Sequence, residues 1–161
     1  MDALRLIGSS RQALERSTEV AEVIAEAWQI QALAHAVGGV IASGGPPDLR
    51  GEARALSETA ARAGTPADHP AVRAAGLRAA RLTGVADPAA VLTALLGLLG
   101  ELGIVLVGVA CATDDEGLYW QCIETMDIAD ESGDRVREML RRLSVHQAAP
   151  PEAVRGRAGP R

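Results

Sequence analysis

From Pro88 to Ala112 the chain runs for 25 residues with one charged side chain, Glu101, and polar sequence borders it on both sides. A helix that is apolar all round has no wet face to turn outward. Such a segment belongs at the centre of a bundle, inside a bilayer or against another subunit. Asp87 followed by Pro88 predicts where it begins, the aspartate as cap and the proline as first helical residue. Residues 104–109 are rich in β-branched side chains and short enough for a strand. No second strand-like segment is there to pair with them, so helix is predicted.

The rest of the chain reads as amphipathic helices. Residues 2–16 place Leu4, Ile7 and Leu14 at helical spacing. Ser17 or Thr18 is the expected cap of a second helix, whose positions 20, 23, 24, 27, 30, 34, 37 and 41 form one apolar stripe, with Glu19, Glu22, Glu26 and Gln29 largely off it. Gly44 and Gly45 end that helix. Pro46 and Pro47 suit the first turn of a third, through Leu49, Ala53, Leu56 and Ala60. Residues 64–70 read as a loop, and Pro70 opens a fourth helix with Val72, Ala75, Ala79 and Leu82 on one side and Arg73, Arg78 and Arg81 on the other. Thr113 and Glu116 have capping-box spacing for a last helix to about Leu143. Its seam is Tyr119, Ile123, Met126, Ala129, Gly133, Val136, Leu140 and Leu143. The predicted fold is all-α, a single-domain bundle of five to six helices over residues 1–146 around a central apolar helix. Residues 147–161, rich in Ala, Pro, Gly and Arg, are expected to be a disordered tail.

A chain of 161 residues suits one domain that buries roughly 68–70% of its extended-chain surface. Trp28, Tyr119 and Trp120 are the only aromatics, so the core must come from Leu, Val, Ile and Ala. Lysine, asparagine and phenylalanine are absent. These residues share AT-rich codons, which points to a GC-rich genome rather than to selection for guanidinium chemistry. Cys111 and Cys122 have no metal-type or redox-type spacing and no cleavable signal pattern is found, so a reducing cytoplasm is expected. Net charge −5 argues against nucleic acid as the main partner. The arginines at 73, 78 and 81 and at 135, 137, 141 and 142 fit no helix-turn-helix, because residues 64–70 are too long and proline-bearing a turn.

Glu101 is expected at a helix edge or against an arginine of another helix, since buried carboxylates are paired or neutralised. On the last helix Glu124, Asp127, Asp130, Glu131, Asp134 and Glu138 line one acidic edge. Glu131 can reach Arg135 and Glu138 can reach Arg142, while Glu124, Asp127 and Asp130 have no such partner. A di-iron bundle would need Glu-x-x-His, and none of His35, His69 and His146 has a glutamate three residues before it. No metal and no cofactor is therefore expected. Walker and dinucleotide patterns are missing too, and no catalytic residue is assigned. Trp28 and His35, two turns apart on one face, read as an interface or core contact. Gly97, Gly100 and Gly103 would give a neighbouring helix a flat track. These residues, with Glu124, Asp127, Asp130 and Glu131, make up the candidate interaction surface.

Residues 26–38 (EAWQIQALAHAVG), 46–58 (PPDLRGEARALSE), 99–124 (LGELGIVLVGVACATDDEGLYWQCIE) and 129–143 (ADESGDRVREMLRRL) together resemble a domain-of-unknown-function family of small actinobacterial proteins. The likeness spans almost the whole chain before the tail and implies no activity or ligand. The functional expectation is a non-enzymatic cytoplasmic helical protein acting through protein–protein interaction or homo-oligomerisation. The alternative is a membrane-associated protein anchored through residues 88–112, supported by their length and by arginines before and acids after them. Against it, an acid near mid-span costs roughly 2.5–3.5 kcal/mol on insertion scales. A small metal- or ligand-binding helical protein is the third reading.

Overall fold

The computed structural model describes residues 1–64, 72–73 and 76–148. Among the described residues the long helices are α1 Ala3–Arg16, α2 Val20–Gly44, α3 Arg50–Ala61, α4 Pro88–Ala112 and α5 Glu116–Ala148. Described 3-10 turns lie at Pro47–Leu49 and Arg78–Arg81. Among the described residues there is no strand, and residues 104–109 are helical.

The helix ends follow local chemistry. Asp2 caps α1 by accepting from the Leu4 N–H at 2.9 Å. Asp87 caps α4 by accepting from the Ala90 N–H at 3.1 Å, with Pro88 as first residue, as the sequence predicts. Two caps differ from expectation. The second helix begins after Glu19, where Glu22 reaches back to the N–H groups of Thr18 and Glu19, while Ser17 closes α1 instead. Thr113 belongs to the end of α4, and Asp115 caps α5 by accepting from the Leu118 N–H at 3.0 Å. An aspartate one residue before the helix suits this role better than a threonine three residues upstream, because its short side chain spans to the open N–H groups of the first turn.

The fourth predicted helix is corrected. Pro70 and Ala75 lie outside the described residues; Val72 and Arg73 are helical, but no helix continues to Leu82. Gly76, at φ +73°, donates its N–H to the Val72 carbonyl at 2.8 Å, an end that favours glycine because an L side chain is strained there. Leu77 is then extended and residues 78–81 form only a 3-10 turn. Gln29 of α2 holds this turn: its Nε2 donates to the Gly76 carbonyl at 2.8 Å and its Oε1 accepts from the Arg78 N–H at 3.0 Å. Glu26 pairs with the Arg78 guanidinium beside it. Two residues that sequence periodicity leaves off the apolar stripe are thus docking groups.

Leucine, isoleucine and valine from all five helices fill the core, with Leu6, Ile30, Leu33, Leu56, Leu92, Leu98 and Leu102 fully buried. Helices α2 and α3 approach closely at Gly38. A Cβ placed on Gly38 would lie 2.7 Å from the Ala53 carbonyl oxygen and 2.8 Å from the Ser57 nitrogen, so only glycine lets these backbones meet. The four positions predicted for the third helix, Leu49 in the 3-10 turn and Ala53, Leu56 and Ala60 in α3, are all buried. On α5 the seam is shifted: Cys122, Ala129, Ser132, Gly133, Val136 and Met139 are buried, whereas Tyr119 is exposed. The helix packs against both α4 and α3, so its buried arc lies between two neighbours rather than along one heptad line. It also continues through Gln147 and Ala148, two residues into the predicted tail; residues 149–161 lie outside the described residues.

Candidate functional site

Helix α4 buries one face only. Val91, Leu92, Leu95, Leu98, Leu99, Leu102, Leu106 and Ala110 enter the core. The opposite face carries Thr93, Gly97, Gly100, Ile104, Val107 and Cys111, spaced by alternating fours and threes and all exposed. Ile104 is 75% exposed and Val107 49%. The expectation of a helix buried all round is therefore met on one side, and the single chain leaves a coiled-coil-like stripe open on the other.

The predicted glycine track is not a packing surface within this chain. A Cβ on Gly100 or Gly103 would meet nothing within 4 Å, and one on Gly97 would meet only the Arg11 guanidinium at 3.2 Å. Glycine works as a contact residue at Gly38 instead. At the start of α5, Trp120 is 55% exposed, with Tyr119 against it edge to face at 5.3 Å between ring centroids. Exposed Asp114, Asp115 and Glu116 make the turn between α4 and α5 acidic.

Glu101 meets an arginine of another helix. Arg11 of α1 donates through Nε to Glu101 Oε2 at 2.9 Å, and both side chains are partly open to solvent. The acidic edge of α5 divides as its spacing suggests. Glu131 lies 3.9 Å from Arg135 and Glu138 2.9 Å from Arg142. Cross-helix partners add to this: Glu131 also accepts from Thr59 and Arg62 of α3, and Glu52 of α3 lies 3.4 Å from Arg135 and 3.3 Å from Arg142. Hydrogen bonding from Arg62 holds the Glu131 carboxyl below the usual range, and Arg141 with Arg142 holds Glu138 down to about 2. Glu124, Asp127 and Asp130 lie exposed farther up the helix, and Glu124 borders a small cavity with Arg62. Among the described residues no group of His, Cys, Asp and Glu is arranged to hold a metal ion.

Trp28 and His35 both line a cavity of about 500 Å³ between α2, the end of α3 and the 3-10 turn at residues 78–81. His35 Nδ1 sits 2.9 Å from the Ser57 carbonyl oxygen and 2.8 Å from its hydroxyl. A protonated Nδ1 donates to the Ser57 carbonyl, and an unprotonated one accepts from the Ser57 hydroxyl. Between Trp28 and His35 on α2 stands Gln31, 1% exposed, whose amide nitrogen and oxygen have no protein partner and which borders both this cavity and the smaller one beside Arg62. Sequence reasoning missed it. Its spacing, three after Trp28 and four before His35, is the signal that places all three on one helical face.

The described residues thus define an all-α protein with an uncovered apolar face on α4 and an alanine-lined cavity beside α2. The chain belongs to DUF6099, a family of unknown function, whose model matches residues 1–142. The comparison with curated proteins finds no match, and neither does the comparison with solved structures.

Proposed function

We propose that this protein acts by binding protein, in the first place a second copy of itself, through the open stripe of α4. The single observation that carries the reading is the arrangement of Thr93, Gly97, Gly100, Ile104, Val107 and Cys111 as an exposed four-three repeat on an otherwise core-forming helix. If two such helices cross antiparallel about residue 102, Gly97 of each meets Val107 of the other and Gly100 meets Ile104. Small side chains then face β-branched ones at each level, and the contact is self-complementary as a two-fold interface requires. A parallel pairing would set glycine on glycine and isoleucine on isoleucine, leaving a gap beside a crowd.

Lipid is the rival cover for this face, since α4 is long and apolar enough to span a bilayer. The opposite side of the helix is committed to the protein core, however, and Glu101 is tied to Arg11. The acidic turn at residues 114–116 would also meet the negative surface of an anionic membrane unfavourably. Cytoplasmic residence is part of the same proposal.

Light scattering without detergent tests it: twice the 16.7 kDa chain mass is expected. Thr93→Cys should cross-link to the native Cys111 of a second copy under mild oxidation, whereas the parent protein should form no Cys111–Cys111 dimer. Within one helix these positions are about 27 Å apart, so a 93–111 disulfide can form only between copies. A monomer at all concentrations, or a requirement for detergent, overturns the reading.

A further inference from the structure

We propose that the cavity between α2, the end of α3 and the 3-10 turn at residues 78–81 binds an uncharged, flat aromatic molecule of one or two fused rings, received beside Trp28 and His35 against walls of alanine. Its volume, about 500 Å³, is in the range of small-molecule sites. Among the described residues that line it, seven are alanine, contributed by α2, the end of α3 and the 3-10 turn alike. Interiors pack to high density where side chains allow it, and larger ones at these positions would have filled the space. No residue of α4 lines it, so the cavity and the open stripe are separate surfaces.

The two aromatic rings on its border decide the chemistry, and both are fixed. Gly64, at φ +95°, suits glycine alone, and a Cβ there would lie 2.9 Å from Trp28 Cη2 and 3.1 Å from Cζ3, so the chain after α3 lies against the edge of the indole. His35 is tied through Nδ1 to Ser57, 2.9 Å from the carbonyl oxygen and 2.8 Å from the hydroxyl. An aromatic guest gains stacked or edge-on contact with such rings beyond the area it buries. Walls already fixed lose little freedom when it binds. A charged guest would give up its hydration where, among the described residues, no acid and no arginine lines the cavity to replace it.

Quinoline, uncharged at neutral pH, is the probe. Its counterpart is N-methylquinolinium, whose positive charge belongs to the ring system and cannot stay outside while the rings enter. Titrations of the full isotope-labelled chain follow the indole N–H resonances of Trp28 and Trp120 by NMR, assigned with Trp120→Phe. With quinoline the Trp28 resonance should shift saturably while that of Trp120 stays in place. N-methylquinolinium should bind at least about tenfold more weakly. Ala36→Leu on α2 and Ala80→Leu on the 3-10 turn fill the cavity from two walls, and each should weaken quinoline binding at least about tenfold. Either variant decides the matter if the other fails to fold, and the comparison of the two probes needs neither. Equal affinity for both probes, parental affinity in a folded filling variant, or no saturable shift at Trp28, meaning a cavity occupied by the chain's own residues, overturns the proposal.

Discussion

Arg11 Nε and Glu101 Oε2 stand 2.9 Å apart, joining α1 to the one charged residue of α4. The pair sits at the border between the buried and open faces of α4, where a carboxylate keeps part of its hydration. Ion pairs of this exposure contribute about 0–1 kcal/mol. Glu101→Gln should therefore change the free energy of unfolding by less than about 1 kcal/mol in urea titrations. A large loss would mean that the carboxylate anchors the helix.

The glycines of α2 and α4 should respond in opposite ways. Gly38→Val forces side-chain atoms into the α3 backbone and should cost about 3 kcal/mol. Gly100→Leu enters open space, so the monomer should lose less than about 0.5 kcal/mol, while the dimer dissociates because the seat for Ile104 of the other copy is filled. Chemical denaturation of dilute samples and light scattering of concentrated ones read the two effects separately.

Gln29→Leu removes both hydrogen bonds that hold residues 76–78 and should cost about 1–3 kcal/mol. The local signature is faster hydrogen exchange at the Arg78 amide, with exchange in the middle of α4 slowed or hastened only by the change in global stability.

Acid should weaken the packing of α5 through Glu131 and Glu138. Both carboxyls are held below the ordinary range in the folded chain, so the unfolded chain takes up protons first and stability falls as pH drops. For Glu138 the contribution is complete above the ordinary carboxyl pKa, near 4.5, and is lost as pH falls towards about 2. Melting temperatures measured from pH 7 to 3 should decline, and the decline should be shallower in Glu138→Gln.

The two thiols should differ in reactivity. Cys111 lies on the open stripe and Cys122 is buried, with burial pushing its thiol pKa up. A neutral maleimide should label Cys111 alone in the dissociated native chain and both cysteines in denaturant. Protection of Cys111 that grows with protein concentration is the further consequence of self-association.

Helix identity and helix ends were legible from the chain alone wherever the cause is local. Asp87–Pro88 starts α4, Gly44 and Gly45 stop α2, and the i,i+4 spacing of Glu138 and Arg142 makes their pair, because each depends on residues within one turn. Periodicity equally placed Val23, Ile30, Val37 and Ile41 inside. It could not say which side of α4 meets the core, since a helix apolar on every side carries no amphipathic signal. Nor could it show that Gly38 rather than Gly100 marks a close approach, or that Glu26 and Gln29 hold the turn at residues 76–81. The distances between α2, α3 and that turn exist only once the bundle has formed. The same assembly buries Gln31 between two cavities, where its amide has no protein partner.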